Sequence, residues 1–122
     1  MLNAKQEVIK EKLDDIYRVI KVENIEDITS RVTGKTVSRH SFLNNLVTYM
    51  TGYCYELIEN YQLTSSEDYN VSYVLQALSD EEPETLRDTE FLLEWAISKL
   101  AYAFGLDPEE DVKKVIIWGR SH

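Results

Sequence analysis

SFLNNLVTYMTGYCYELIENYQ, Ser41 to Gln62, places Phe42, Leu46, Tyr49, Met50, Tyr53, Leu57 and Tyr61 at three- and four-residue steps. That spacing is one face of an α-helix. Leu43, Val47, Cys54 and Ile58 widen the face until little beyond Asn44, Asn45, Thr48, Thr51, Glu56 and Glu59 is left for water. A helix apolar over most of its circumference has neighbours on several sides. The stretch therefore predicts the buried central helix of an all-α domain.

Upstream, Asn3 to about Lys21 aligns Ile9, Leu13, Ile16 and Ile20 on one face, with Asn3 placed as an N-cap. A short helix is predicted from Ile25 to Val32, with Gly34 past its end. Thr33 to His40, TGKTVSRH, reads as a basic loop leading into the central helix, capped by Ser38 or Ser41. Downstream, Thr64 with Glu67 has the form of a capping box, opening a helix through Val71, Val74, Leu75 and Leu78. The next helix runs from Pro83 or Thr85 to Phe104, with Leu86, Leu93, Ile97, Leu100 and Phe104 inward and Leu92, Trp95 and Tyr102 broadening that face. Gly105 stops it. Asp107, Pro108 and Glu110 supply an N-cap, an N1 proline and a capping-box acid for a last helix. For KVIIWGR within that segment, a short strand is the weaker alternative. The expected architecture is one domain over residues 1–122: a compact bundle of about five helices, plus one short helix, around 41–62.

The bulk composition fits such a domain. Its 122 residues are 43% hydrophobic and 29% charged, values of an ordinary folded domain. No run approaches the roughly 18–20 apolar residues of a membrane span, and the charged N-terminus lacks an apolar signal region. A cytoplasmic protein is expected. One cysteine cannot form an internal disulfide, and its place on the apolar face makes Cys54 a buried thiol. His40 and His122 lack the partners of a zinc site.

The net charge of −9 is concentrated in the second half: residues 1–62 carry 8 Lys and Arg against 9 Asp and Glu, and residues 63–122 carry 5 against 13. Direct binding to nucleic acid is disfavoured, since phosphate recognition needs a basic surface. TGKT (33–36) has the ending of a phosphate-binding loop, but Thr29 stands where its first glycine belongs. TVSR (36–39) resembles the opening of a DNA-reading helix, yet the helix turns apolar at Phe42. Lys35, Arg39 and His40 are instead candidates for contact with an acidic partner group.

Two features point towards a protein partner. Asp80, Glu81, Glu82, Glu84, Asp88, Glu90 and Glu94 form an acidic run broken only by Arg87. Such a face is drawn to a basic groove, including the nucleic-acid-binding site of another protein. Six of the eight tyrosines fall between Tyr49 and Tyr73, and of these Tyr55, Tyr61, Tyr69 and Tyr73 are candidate partner contacts. Tyrosine adds large contact area at little cost in rotamer entropy. The expected function is a non-enzymatic inhibitor or adaptor, similar in size and charge to small acidic helical proteins of phages that block host enzymes.

Two alternatives stay open. Glu56 and Glu59 on the central helix, with Glu90 and Glu94 on the second core helix, pair carboxylates one turn apart. Facing pairs of this kind could hold Mg²⁺. With LAYAFGLDPEEDVKKV near the end, the chain resembles the MazG-type all-α nucleotide pyrophosphohydrolases, although its second pair is spaced ExxxE where theirs is ExxD. The resemblance implies Mg²⁺-dependent hydrolysis with those four glutamates as ligands. The remaining alternative is a homo-oligomeric structural subunit such as a phage assembly component.

Overall fold

The computed structural model describes residues 2–22, 27–29 and 36–112. Four main helices make the bundle: α1 (Ala4–Val22), α2 (Arg39–Asn60), α3 (Ser65–Asp80) and α4 (Leu86–Ala103). A short π-helical turn follows at Pro108–Val112. Three-residue strands β1 (Asp27–Thr29) and β2 (Thr36–Ser38) pair antiparallel, Asp27 opposite Ser38 and Thr29 opposite Thr36, ahead of α2. This ribbon replaces the helix expected over Ile25–Val32 at its described residues. β-Branched Ile28, Thr29, Thr36 and Val37 favour extended backbone. Lys35 and the KVIIWGR segment (114–120) lie outside the described residues.

The caps explain where the helices begin and stop. Asn3 Oδ1 accepts from the Gln6 N–H at 2.8 Å, and Gln6 Oε1 accepts from the Asn3 N–H at 2.9 Å. Ser38 caps α2, its side chain accepting from the Ser41 N–H. Thr64 and Glu67 close a full capping box on α3, and Thr85 accepts from the Asp88 N–H on α4. Burial works against the charge on Glu67. The Thr64 backbone N–H and the Lys5 ammonium outweigh it and hold the carboxyl below its usual range. α4 ends on Gly105 at φ 75°, with the Leu106 N–H donating to the Ala101 carbonyl at 2.9 Å. Asp107 caps the π turn through the Glu109 and Glu110 N–H groups. The acid that returns to the Asp107 N–H is Asp111, at 2.7 Å, in place of the expected Glu110. The wider π turn moves the partner one position along.

Helix directions follow from the cross-links. Arg39 at the start of α2 reaches Glu90 near the start of α4, and Lys21 at the end of α1 reaches Glu94. At the other end Gln6 Nε2 donates to the Phe104 carbonyl. The helices therefore run up and down in turn, with short links at 61–64 and 81–85. α4 packs against α1, α2, α3 and the π turn, whereas α2 packs against α3, α4 and the ribbon. α4 thus shares the centre with α2, which is linked to α1 through Arg39 and Tyr49. α2 buries Leu43, Met50, Tyr53, Cys54 and Leu57, while Phe42 and Leu46 are half-buried and Tyr49 is exposed.

The core includes Ile9, Leu13 and Ile20 of α1, Val71 and Val74 of α3, and Leu93, Ile97 and Leu100 of α4 against the α2 set. Each fully buried aliphatic side chain contributes about 1.5–3 kcal/mol. Cys54 is buried as expected, and burial pushes its thiol up to about 12. Among the described residues no helix is long and apolar enough to cross a membrane.

Candidate functional site

Exposed aromatic side chains gather on the outer face of α3 and α4. On α3, Tyr69 and Tyr73 lie one turn apart, 70% and 51% exposed. On α4, Phe91 is 58% and Tyr102 68% exposed, and the half-buried Trp95 lies between them. Spacings of four and seven residues put Phe91, Trp95 and Tyr102 on one side of α4. The Tyr73 and Trp95 rings meet across the two helices at 5.9 Å, tilted by 58°, within the range of favourable aromatic pairs.

Between these helices runs an open cleft of about 430 Å³, lined by Tyr73, Ala77, Glu81, Phe91, Leu92 and Trp95. Glu81, the exposed C-cap residue of α3, is among the residues that line it. Asp80, Glu82, Glu84 and Asp88 are exposed on and beside the link that joins the two helices at that end. Two cations already sit over outer rings: Lys99 Nζ 5.7 Å from the Tyr73 centroid, and Arg87 5.5 Å from that of Phe91. The site combines exposed aromatic side chains with nearby acidic residues and with Lys99 and Arg87 at its margin.

The expected site residues divide. Tyr69 and Tyr73 join this face. Tyr55 is exposed on α2, and Tyr61 at the end of α2 packs against the core, so neither belongs to the cleft. Glu90 and Glu94 leave the free acidic run: Glu90 Oε1 accepts from Arg39 at 2.6 Å, and Glu94 pairs with Lys21 at 3.1 Å. Arg39 corrects the basic-loop expectation. It is 6% exposed and also donates to the Ile20 carbonyl at 2.9 Å, so it ties α1, α2 and α4 together. Of the candidate contact residues described in that loop, His40 is at the surface.

The paired glutamates do not converge. Glu56 follows Arg39 by 17 positions on α2, about 25 Å along the axis at about 1.5 Å per residue. Glu90 is held at the Arg39 end. The four-glutamate Mg²⁺ site is thereby overturned, and among the described residues no group of three or more histidine, cysteine or carboxylate side chains is gathered for a metal ion.

Phe91, Trp95 and Tyr102 are the partners that sequence reasoning missed. Trp95 and Tyr102 read as broadening the inward face of α4; Trp95 does pack half-buried against the core and lines the cleft as well, whereas Tyr102 is among the most exposed side chains. The available signal was the four-residue step from Phe91 to Trp95, off the Leu93–Ile97–Leu100 stripe. A second open cleft, about 310 Å³ between α1 and α2, is lined by Ile16, Val19, Phe42 and Leu46. At its edge Lys12 donates to the Tyr49 hydroxyl at 2.8 Å. Comparison of the chain with protein-family profiles, curated proteins and solved structures returns no match.

Proposed function

We propose that this chain is a non-enzymatic protein-binding module, an inhibitor or adaptor that docks its α3–α4 face on a basic surface of a partner protein. The observation that carries the reading is the meeting of Tyr73, Phe91 and Trp95 with Glu81 in one cleft, beside exposed Asp80, Glu82, Glu84 and Asp88. Interfaces draw their energy from a few aromatic anchors, while rim charges speed encounter and select the partner. The charge of residues 63–122, 5 basic against 13 acidic, favours a basic surface over a second copy of the same face. It equally opposes nucleic acid and anionic membranes.

The test is affinity capture from lysate of the encoding organism, with the wild type and a Tyr73→Ser/Phe91→Ser variant, at about 0.1 M and about 1 M salt. The Debye length falls from about 10 Å to about 3 Å between those conditions. The reading expects one partner, held at low salt, reduced at least about tenfold by the double substitution and weakened at high salt. A partner held equally well by the variant overturns it. So does a concentration-dependent dimer that the double substitution dissociates, which would assign the face to a second copy.

A further inference from the structure

We propose that the α3–α4 cleft is an aromatic cage for a guanidinium group, and that the partner inserts one arginine side chain between Tyr73, Phe91 and Trp95 against Glu81. The inference rests on the docking reading and adds the chemistry of its anchor. Three aromatic residues and one acidic residue line a single concavity together with Ala77 and Leu92. Its volume of about 430 Å³ lies in the range of small-ligand sites, about 300–1,000 Å³. Ring faces attract cations through their quadrupoles, with tryptophan the strongest and a partly desolvated site worth more than an exposed one.

The protein's own side chains already use this attraction at the cleft margin, where Lys99 lies over Tyr73 and Arg87 over Phe91. Trp95, half-buried between them, has no described cation over its ring. Arginine suits the site better than lysine. Its planar group stacks on a ring while its N–H fork meets a carboxylate, whereas ammonium is a compact and strongly hydrated charge. Glu81 then supplies the charge-assisted hydrogen bonds.

The experiment follows aromatic side-chain resonances by NMR during titration of the full chain with N-acetyl-arginine amide. N-acetyl-citrulline amide serves as the neutral isostere, and N-acetyl-lysine amide as the ammonium arm. Saturable shifts are expected at Trp95, Tyr73 and Phe91 with the arginine probe, at least about fivefold weaker affinity for the lysine probe, and none for citrulline. Glu81→Gln should weaken the arginine probe about threefold and Phe91→Ala about tenfold, both with an unchanged amide spectrum elsewhere. Shifts spread over the surface, or equal shifts with citrulline, overturn the cage. If the probe fails while partner capture still depends on Tyr73 and Phe91, the cage is wrong and the docking reading stands. If the probe binds but no such partner is captured, the docking reading fails and the cage stands.

Discussion

Arg39 and Tyr53 show how far a side chain's role departs from its type. Arg39 sits in the basic stretch that leads into α2, where a count of charges suggests a partner contact. Its guanidinium is instead buried, bonded to the Ile20 carbonyl and to Glu90. Sequence shows the charge but not the carbonyl and carboxylate that arrive from α1 and α4. Arg39→Met should destabilise the fold by about 2–3 kcal/mol, since it strands a buried carbonyl and an acid. Chemical denaturation measures this, and a loss under about 0.5 kcal/mol would make Arg39 a surface residue. Tyr53 is 5% exposed and its hydroxyl has no described hydrogen-bond partner. An unsatisfied buried hydroxyl costs about 1–3 kcal/mol, so Tyr53→Phe should raise stability by about 1 kcal/mol at neutral pH. Burial, followed by the nearby Tyr61 and Glu56, pushes the phenol far above its ordinary value of 10.0. The phenol is protonated in both states below that value, and above it the unfolded chain ionises first. Stability is therefore lost as pH rises past 10.0. The advantage of Tyr53→Phe over the wild type should widen in thermal unfolding from neutral pH to about 11; a constant gap would contradict this.

The helices were legible where the chain itself marks their ends. Asn3, Thr64, Thr85 and Gly105 stand at the observed caps and stop because each satisfies a backbone group locally. The ribbon was not legible: β1 and β2 are three residues each and depend on one another across the chain. The apolar periodicity of 41–62 correctly gave α2 its length within about two residues. It could not show that α4, with a narrower stripe, shares the centre with it. Tyrosine and tryptophan fit both core and surface, so periodicity alone left the cleft unread. Two glycines give opposite predictions from the same substitution. Gly52 lies inside α2, exposed, with nothing within 4 Å of an added Cβ. Gly52→Ala should stabilise by about 0.5–1 kcal/mol. Gly105 holds φ +75°, and an added Cβ would stand 3.2 Å from Gln6 Nε2, which bonds the Phe104 carbonyl. Gly105→Ala should cost about 1–2 kcal/mol. Thermal melts of the two variants should move in opposite directions, and movement in the same direction would refute the account of one of these positions.

As a whole molecule, the protein is a bundle whose described interior is mainly apolar, with Asp14, Arg39 and Thr89 as buried polar side chains, and whose surplus negative charge belongs to the later helices. The early ion pairs Arg39–Glu90 and Lys21–Glu94 remove two acids from that surplus. Those left exposed around the α3–α4 link flank the aromatic cleft. Both halves of this arrangement, acid run and aromatic excess, are visible in the composition. Their convergence is not, because it depends on α3 and α4 packing side by side with Tyr73 against Trp95. A photo-crosslinking amino acid substituted at Phe91, and separately at Tyr55 on the exposed side of α2, is irradiated in lysate of the encoding organism. The account predicts a discrete covalent adduct from position 91 that fades at high salt, and none from position 55; the same adduct from both positions, or one from 55 alone, would contradict it.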